Sequence, residues 1–142
     1  MKVKPSAGNK TFCMAPWSHT YLSPQSERRM CCASREKAEW ATQYLDSDKA
    51  EDDSFYNPGT LEEHWNSEYM KGIRRDLMAG KKIPQCQVCN DQLLNVSIYR
   101  DYFNKTLFPN KIDEAFEKTR DDGYTEMKPI SFDYRIKNLC NF

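Results

Sequence analysis

The sequence has no surplus of either charge and no long hydrophobic run. Lys plus Arg and Asp plus Glu each number 21 among 142 residues, so the chain has no overall field that would recruit nucleic acid or an anionic membrane. The N-terminal stretch MKVKPSAGNK is too polar for a signal peptide, and no later window approaches the roughly 20 apolar residues of a membrane-spanning helix. These absences predict a soluble, cytoplasmic protein with neither nucleic acid nor a membrane as partner.

Glycine is also scarce, and familiar catalytic motifs are missing. Only five glycines occur, and none forms a phosphate-binding loop. The sequence contains no Ser-His-Asp set and no H-E-x-x-H motif. Hydrophobic residues make up 39% of the chain and charged residues 30%, which predicts one domain with a thin core. We therefore expect another interaction to help stabilise the fold.

Cysteine is what the sequence does contain. The six cysteines are Cys13, Cys31, Cys32, Cys86, Cys89 and Cys140. In a reducing compartment their uneven spacing favours metal ligation over a disulfide framework. The strongest signal is the C-x-x-C pair of Cys86 and Cys89, because two thiolates at that spacing can bind one metal centre. Burial as a small apolar side chain is the alternative, and for Cys31 or Cys32 taken singly it is equally acceptable.

A β-hairpin is predicted around the first three cysteines. The stretch FCMAPWSHTYLS is rich in aromatic and β-branched residues, a polar turn follows at 24–27, and RRMCCA comes next. Cys13 would lie on or just before the first strand, and Cys31 and Cys32 on the second. Adjacent strand residues face opposite sides of a sheet, so only one of these two can easily join a shared centre.

A helix is predicted in the middle of the chain. Thr60 and Glu63 have the spacing of a capping box and should begin it. Asn66 and Ser67 can restart or kink it, after which an apolar stripe continues. Gly80 supplies the C-terminal stop.

The second half of the chain completes an α+β fold. A helix from Val88 to about Phe103 would place Cys86 and Cys89 at its N-terminus, where the helix dipole favours thiolate over thiol. Asn110 is predicted to cap a further helix that ends at Gly123. The alternating segment PISFDYRI predicts a strand with no partner nearby in sequence, as if it began a sheet whose remainder is missing. The expected architecture is a small hairpin with cysteine ligands, packed on several helices.

Two kinds of metal site fit the cysteines. The hairpin and the C-x-x-C pair would together provide four thiolates, from Cys13, Cys31, Cys86 and Cys89. Both zinc and an iron–sulfur cluster accept such a set. His19 and His64 are weaker candidates, because a hydrogen-bonded or exposed imidazole explains each of them. A thiol oxidoreductase is also less favoured, since its C-x-x-C should follow a strand in a βαβ unit, whereas helices are predicted on both sides here.

Five stretches of the sequence, taken in order, resemble one known family. FCMAPWSH resembles F-C-x-x-P-W-x-H, and the turn followed by MCC resembles P-D-G-x-x-x-P-C-C. LEEHWNSEYMKGIRRDLMAGKK resembles L-x-x-I-W-N-S-x-x-M-x-x-I-R-x-x-M-x-x-G-K. CQVC with the later Ser97 and Arg100 resembles C-x-x-C followed by S-x-x-R, and DYRIKNLCN resembles D-x-R-x-x-N-x-C-N. The family consists of radical SAM proteins that carry an auxiliary iron–sulfur region, of the SPASM or twitch kind, ahead of their catalytic barrel.

The resemblance implies a cofactor and its ligands. An auxiliary [4Fe-4S] cluster would be bound by Cys13, Cys31, Cys86 and Cys89. Cys32 is the alternative to Cys31, because the sequence departs from the family pattern in the preceding turn and at Met30. Cys140 would be the first ligand of the catalytic cluster, whose C-x-x-x-C-x-x-C motif it begins but does not complete.

The resemblance also implies a domain organisation. Residues 1–10 would be a disordered N-terminus, residues 11–106 the SPASM/twitch-like iron–sulfur domain, and residues 107–142 a connecting helix with the first strand of a truncated radical SAM domain whose partial TIM-like barrel is missing. A split gene or frameshift would explain this, and a partner polypeptide would then carry the rest of the barrel. S-adenosylmethionine would be bound only in an intact protein.

Two functions follow as expectations. The first is an auxiliary-cluster module that relays electrons or positions substrate, and that is not a complete enzyme by itself. The second is a zinc-stabilised, non-enzymatic domain that binds a protein partner. Iron with acid-labile sulfide would indicate the first, and a colourless protein with about one zinc per chain would indicate the second.

Overall fold

The fold is α+β, as the sequence predicts. The computed structural model describes residues 1–41, 44–45, 56–57, 59–91 and 98–135. The helices in these segments are α1 (Ala15–Ser18), α2 (Leu61–Trp65), α3 (Glu68–Met78), α4 (Gln87–Asp91), α5 (Ile98–Asp101) and α6 (Ile112–Glu117). The strands are β1 (His19–Leu22), β2 (Arg28–Arg29), β3 (Tyr44–Leu45), β4 (Tyr56–Asn57) and β5 (Ser131–Tyr134). Short 3-10 turns lie at Pro5–Ala7, Ala38–Ala41, Pro84–Cys86 and Pro109–Lys111, and a π-helix, Tyr102–Leu107, follows α5 directly.

A three-stranded sheet joins distant parts of the chain in the order β2-β1-β5. β1 and β2 are antiparallel, with Tyr21 opposite Arg29, which confirms the predicted hairpin. The first strand is shorter than predicted, because Ala15–Ser18 form a helical turn and the strand begins only at His19. Cys13 therefore lies in the loop before α1 rather than on a strand.

The last strand, β5, pairs in parallel with β1, with Ser131 opposite His19. The sequence predicts a strand without a neighbour, and the structure supplies one from far earlier in the chain. The apolar side chains along this segment point outward, since Ile130, Phe132 and Tyr134 are 56%, 55% and 44% exposed. β5 lies at the edge of the sheet within the described residues, and its continuation into a barrel stays a prediction.

The central helices begin and end where the sequence predicts. The Thr60 hydroxyl accepts the Glu63 N–H, and the Glu63 carboxylate accepts the Thr60 N–H, which completes the capping box of α2. Ser67 caps α3 by accepting the Met70 N–H. The chain leaves α3 through Gly80, whose φ of +78° suits glycine. The predicted start, restart and stop are confirmed.

The buried face of α3 lies at the centre of the core. Its apolar contacts join Met70, Ile73, Leu77 and Met78 of α3 to Phe12, Met14 and Trp17. Arg74 on the same face is fully buried. Its Nε donates to the Pro16 carbonyl at 2.8 Å, and its guanidinium lies 4.7 Å from the centre of the Trp65 ring. α3 therefore holds the chain just after Cys13 by apolar and polar contacts together.

The N-terminal residues 1–10, for which the sequence predicts disorder, contact the end of α3. The Val3 N–H donates to the Met78 carbonyl at 2.8 Å. The Asn9 side chain is buried and donates to the Leu77 carbonyl at 2.7 Å. This amide adds a second donor to a carbonyl in the last turn of α3, which also accepts the Gly80 N–H at 3.2 Å.

The last helix is shorter than predicted. It spans Ile112–Glu117 and follows the 3-10 turn Pro109–Lys111. The predicted cap at Asn110 is wrong, because Lys111 occupies the capping position and no side chain caps the helix. Gly123 lies further on in a turn, since the chain leaves the helix at Lys118. Among the described residues, no helix is both long and apolar enough to cross a membrane.

Gly123→Ala is expected to destabilise the fold more than Gly8→Ala. Both glycines have positive φ, +96° and +101° respectively. A methyl group added at Gly8 would meet nothing within 4 Å, whereas at Gly123 it would lie 1.9 Å from the Lys71 carbonyl oxygen. We expect an extra loss of about 2 kcal/mol at Gly123, because the turn must move away from α3. Urea unfolding of the two variants measures the difference, and equal losses would contradict this contact.

Candidate metal centre

The structure brings four cysteines from three separate stretches of the chain to the wall of one cavity. They are Cys13, Cys31, Cys86 and Cys89. The cavity has a volume of about 20 Å³, which is room for roughly one water molecule. Arg100 and Phe103 also line it.

The Cys13 loop is held from both sides by one amide. Asn104 accepts the Met14 N–H at its Oδ1 and donates from its Nδ2 to the Phe12 carbonyl, both at 2.8 Å. The Ala15 N–H lies 3.5 Å from the Cys13 sulfur and donates to it. A thiol at this position therefore has a fixed backbone and a donor already directed at its sulfur.

The Cys31 loop repeats this arrangement with a carboxylate. The Glu36 side chain accepts the Met30 N–H at 2.9 Å and the Ser34 hydroxyl, so it binds the loop before and after the cysteine. The Ala33 N–H donates to the Cys31 sulfur. The donor is again the backbone two residues beyond the cysteine, as it is for Cys13.

Cys31 and Cys32 have different surroundings. Cys31 is 8% exposed and lines the cavity, whereas Cys32 is exposed and does not. The sequence predicts that only one of the two faces a shared centre, but it places both on a strand. In the structure β2 ends at Arg29, and a turn rather than strand alternation separates the two side chains.

The C-x-x-C pair lies where a 3-10 turn passes into α4. Cys86 is the last residue of the turn, and Cys89 lies within the helix. Asn90 donates to the Ile83 carbonyl at 3.2 Å and accepts a hydrogen bond from the Arg100 guanidinium at 2.8 Å. Arg100 is buried and also donates to Cys86. These hydrogen bonds connect the pair to the residue before the 3-10 turn and to α5.

Burial raises the pKa of three of the four thiols. It raises the pKa of Cys31 to about 12 and that of Cys86 to about 11. It also raises the pKa of Cys13 well above its usual value. The Arg100 charge lowers the pKa of Cys86, but by less than burial raises it. For Cys86 the net shift of the pKa is upward, opposite in direction to the thiolate-favouring effect that the sequence predicts for a helix N-terminus.

The four cysteine thiols are suitable metal donors by their chemistry, but their present positions do not form a complete metal site. Within the part of the chain that the structure describes, no three His, Cys, Asp or Glu side chains are positioned to hold a metal ion as they stand. Four thiols directed at one cavity are nevertheless the soft donors that zinc and iron–sulfur clusters accept.

The two histidines lie elsewhere. His19 Nδ1 is 2.8 Å from the Ser131 hydroxyl, and its ring packs on Phe103. His64 is buried, and its pKa falls to about 4 because of burial and the nearby charges of Arg28 and Arg74. Neither histidine lines the cavity.

Two of the predicted site residues, Cys140 and Ser97, lie outside the described residues. Sequence reasoning missed Glu36 and Asn104, although each holds a cysteine loop. A polar Asn104 inside the aromatic stretch YFNKTLF is the one local signal that could have found it, whereas nothing around Glu36 distinguishes it from a surface charge.

Comparison with known proteins gives the chain no relative: no family model, curated protein or solved structure matches it. The function must therefore be argued from the cysteines, the groups that hold them and the chemistry they allow.

The pKa of His64 predicts a loss of stability in mild acid. The folded chain keeps this imidazole neutral down to about pH 4, whereas the unfolded chain protonates it near 6.5. Above pH 6.5 the neutral His64 makes its full contribution to the free energy of unfolding. This contribution is lost as the pH falls from 6.5 to 4, and the loss is about 2 kcal/mol at pH 4.5. Urea unfolding at pH 7.5 and 4.5 should show a smaller loss for His64→Gln than for the unchanged chain. Equal losses would show that another group causes the acid sensitivity.

Proposed function

We propose that this chain is a metal–thiolate module whose ligands are Cys13, Cys31, Cys86 and Cys89. The observation that supports this most directly is that these cysteines, which come from three separate stretches, line one cavity. Chance burial explains a single cysteine well. It explains poorly why four of them share one cavity while the fifth described cysteine, Cys32, is exposed.

The hydrogen bonds to sulfur support the same proposal. The Ala15 and Ala33 N–H groups donate to Cys13 and Cys31, and Arg100 donates to Cys86. Such donors stabilise negative sulfur, and they tune the properties of metal–thiolate sites. A buried guanidinium is also a suitable counter-charge, because four thiolates give either a zinc ion or a [4Fe-4S] cluster a net negative charge.

An auxiliary [4Fe-4S] cluster is the occupant that the resemblance to SPASM- and twitch-bearing radical SAM proteins favours. The bound cluster would supply one-electron transfer or a surface against which substrate is positioned. The residues of this chain would hold it, exclude water from it with Met30 and Phe103, and place the Arg100 charge beside it. Binding of S-adenosylmethionine, the role of Cys140 and a partner that carries a barrel all belong to this proposal as further expectations.

Zinc is the second candidate, and the size of the cavity favours it. A volume of about 20 Å³ accepts one ion with less movement than a cluster requires. In that case the metal would stabilise a thin core, and the domain would bind a protein partner without catalysing a reaction.

Metal loading distinguishes the candidates, and the adjacent cysteines supply a matched pair of variants. Anaerobic treatment with iron and sulfide should give a brown protein with about four iron and four sulfide per chain. Cys31→Ser should lose most of this iron, whereas Cys32→Ser should retain it, because only Cys31 lines the cavity. Iron and zinc analysis of both variants measures the effect.

Each other result has a definite meaning. About one zinc with no sulfide would favour the second candidate. Loss of metal from Cys32→Ser but not from Cys31→Ser would show that Cys32 is the ligand in place of Cys31. A chain that binds neither iron nor zinc would show that the proposed function is wrong.

A further inference from the structure

Glu36 is half-buried, and its carboxylate lies between the Cys31 loop and α3. Its Oε2 accepts the Met30 N–H at 2.9 Å and the Ser34 hydroxyl. Its Oε1 accepts the Tyr69 hydroxyl from α3 at 2.7 Å. One oxygen thus binds the loop and the other binds the helix, so the carboxylate fixes the loop against α3.

The same hydroxyl continues the network to the C-x-x-C pair. Tyr69 accepts a hydrogen bond from the Gln85 side chain at 3.3 Å, and Gln85 lies directly before Cys86. The Gln85 backbone carbonyl also accepts the Arg35 N–H at 2.9 Å, next to Glu36. Glu36, Tyr69 and Gln85 therefore form a continuous polar bridge between the two cysteine-bearing segments.

The bridge depends on a single atom, the hydroxyl oxygen of Tyr69. Gln85 is buried, and its Oε1 has no hydrogen-bond partner among the described residues. Its side-chain orientation therefore depends on the bond from its Nε2 to Tyr69. Without the Tyr69 hydroxyl, the Gln85 amide would be buried without a partner for either end, which is costly and favours movement of the turn.

We propose that Glu36 and Tyr69 are positioning residues that set the distance between the Cys31 loop and the Cys86–Cys89 pair. This inference rests on the proposed metal–thiolate function. Within the described residues, no helix or sheet is shared between the Cys31 loop and the segment of Cys86 and Cys89. Groups that orient ligands in this way typically change metal affinity by 10–100-fold when removed.

The test uses the full chain and cobalt(II), which four thiolates bind in a tetrahedral arrangement with a characteristic visible spectrum. Tyr69→Phe removes only the bridging hydroxyl. We expect it to weaken cobalt binding about tenfold and to reduce the intensity of the tetrahedral bands, because one pair of thiolates is displaced. Tyr124→Phe is the matched control, since it removes the same atom from a turn that does not line the cavity and should match the unchanged chain.

A second variant tests whether the two residues act together. Glu36→Gln should also weaken cobalt binding, and adding Tyr69→Phe to it should cost much less than a second factor of ten. Independent effects that multiply to about a hundredfold would overturn the bridge. So would a Tyr69→Phe chain that has the affinity and spectrum of the unchanged chain.

The spectrum separates positioning from a general loss of stability. A variant that merely unfolds more easily would bind less cobalt but give an unchanged spectrum per bound ion, and this too would overturn the inference. If the unchanged chain binds cobalt and Tyr69→Phe behaves identically, only the bridge is wrong. If the unchanged chain binds no cobalt, iron or zinc, the proposed function is wrong and the inference falls with it.

Discussion

The structure depends on hydrogen-bond partners for the backbone N–H and carbonyl groups of loops that belong to no helix or strand. Residues around Cys13 and Cys31 are buried, so their N–H and carbonyl groups must find partners that regular structure does not provide. Asn104 and Glu36 supply them, each by binding the chain on both sides of one cysteine. Arg74 adds a bond from α3 to the carbonyl just beyond the first loop. The cysteines are thus placed by buried and half-buried polar side chains more than by the short sheet.

Burial of the cysteines opposes the negative charge on sulfur that the proposed metal site would need. Taking Cys13, Cys31 and Cys86 out of water raises their pKa values, so these three thiols keep their protons at neutral pH. A bound metal reverses this, because its own charge deprotonates a coordinating thiol. Arg100 and the N–H groups directed at sulfur lower the cost of that change. Metal binding in such a site releases protons and contributes to folding at the same time.

Local signals predicted local structure, and long-range contacts decided the rest. The capping box at Thr60 and the stop at Gly80 could be predicted because each involves residues within one turn of a helix. C-x-x-C spacing and resemblance also predicted the four cysteines that line the cavity, with Cys32 left open as the alternative to Cys31. It could not identify Glu36 as a partner of Tyr69, because a surface glutamate and a buried one look alike without knowledge of what α3 brings near. The placement of Cys31 inside and Cys32 outside depends in the same way on a turn whose geometry the sequence does not specify.

The C-terminal strand shows most clearly why a pattern predicts an element but not its orientation. Alternation of apolar and polar residues is the same after a shift of one residue, yet that shift exchanges the two faces of the strand. Here the register is fixed at both ends, where the Ile130 N–H donates to the Ser18 carbonyl and the Arg135 N–H donates to the Leu22 carbonyl, each at 2.9 Å. This pairing directs Ser131 toward His19 and leaves Phe132 exposed. The pairing with β1 that is observed therefore leaves the apolar face of β5 exposed among the described residues.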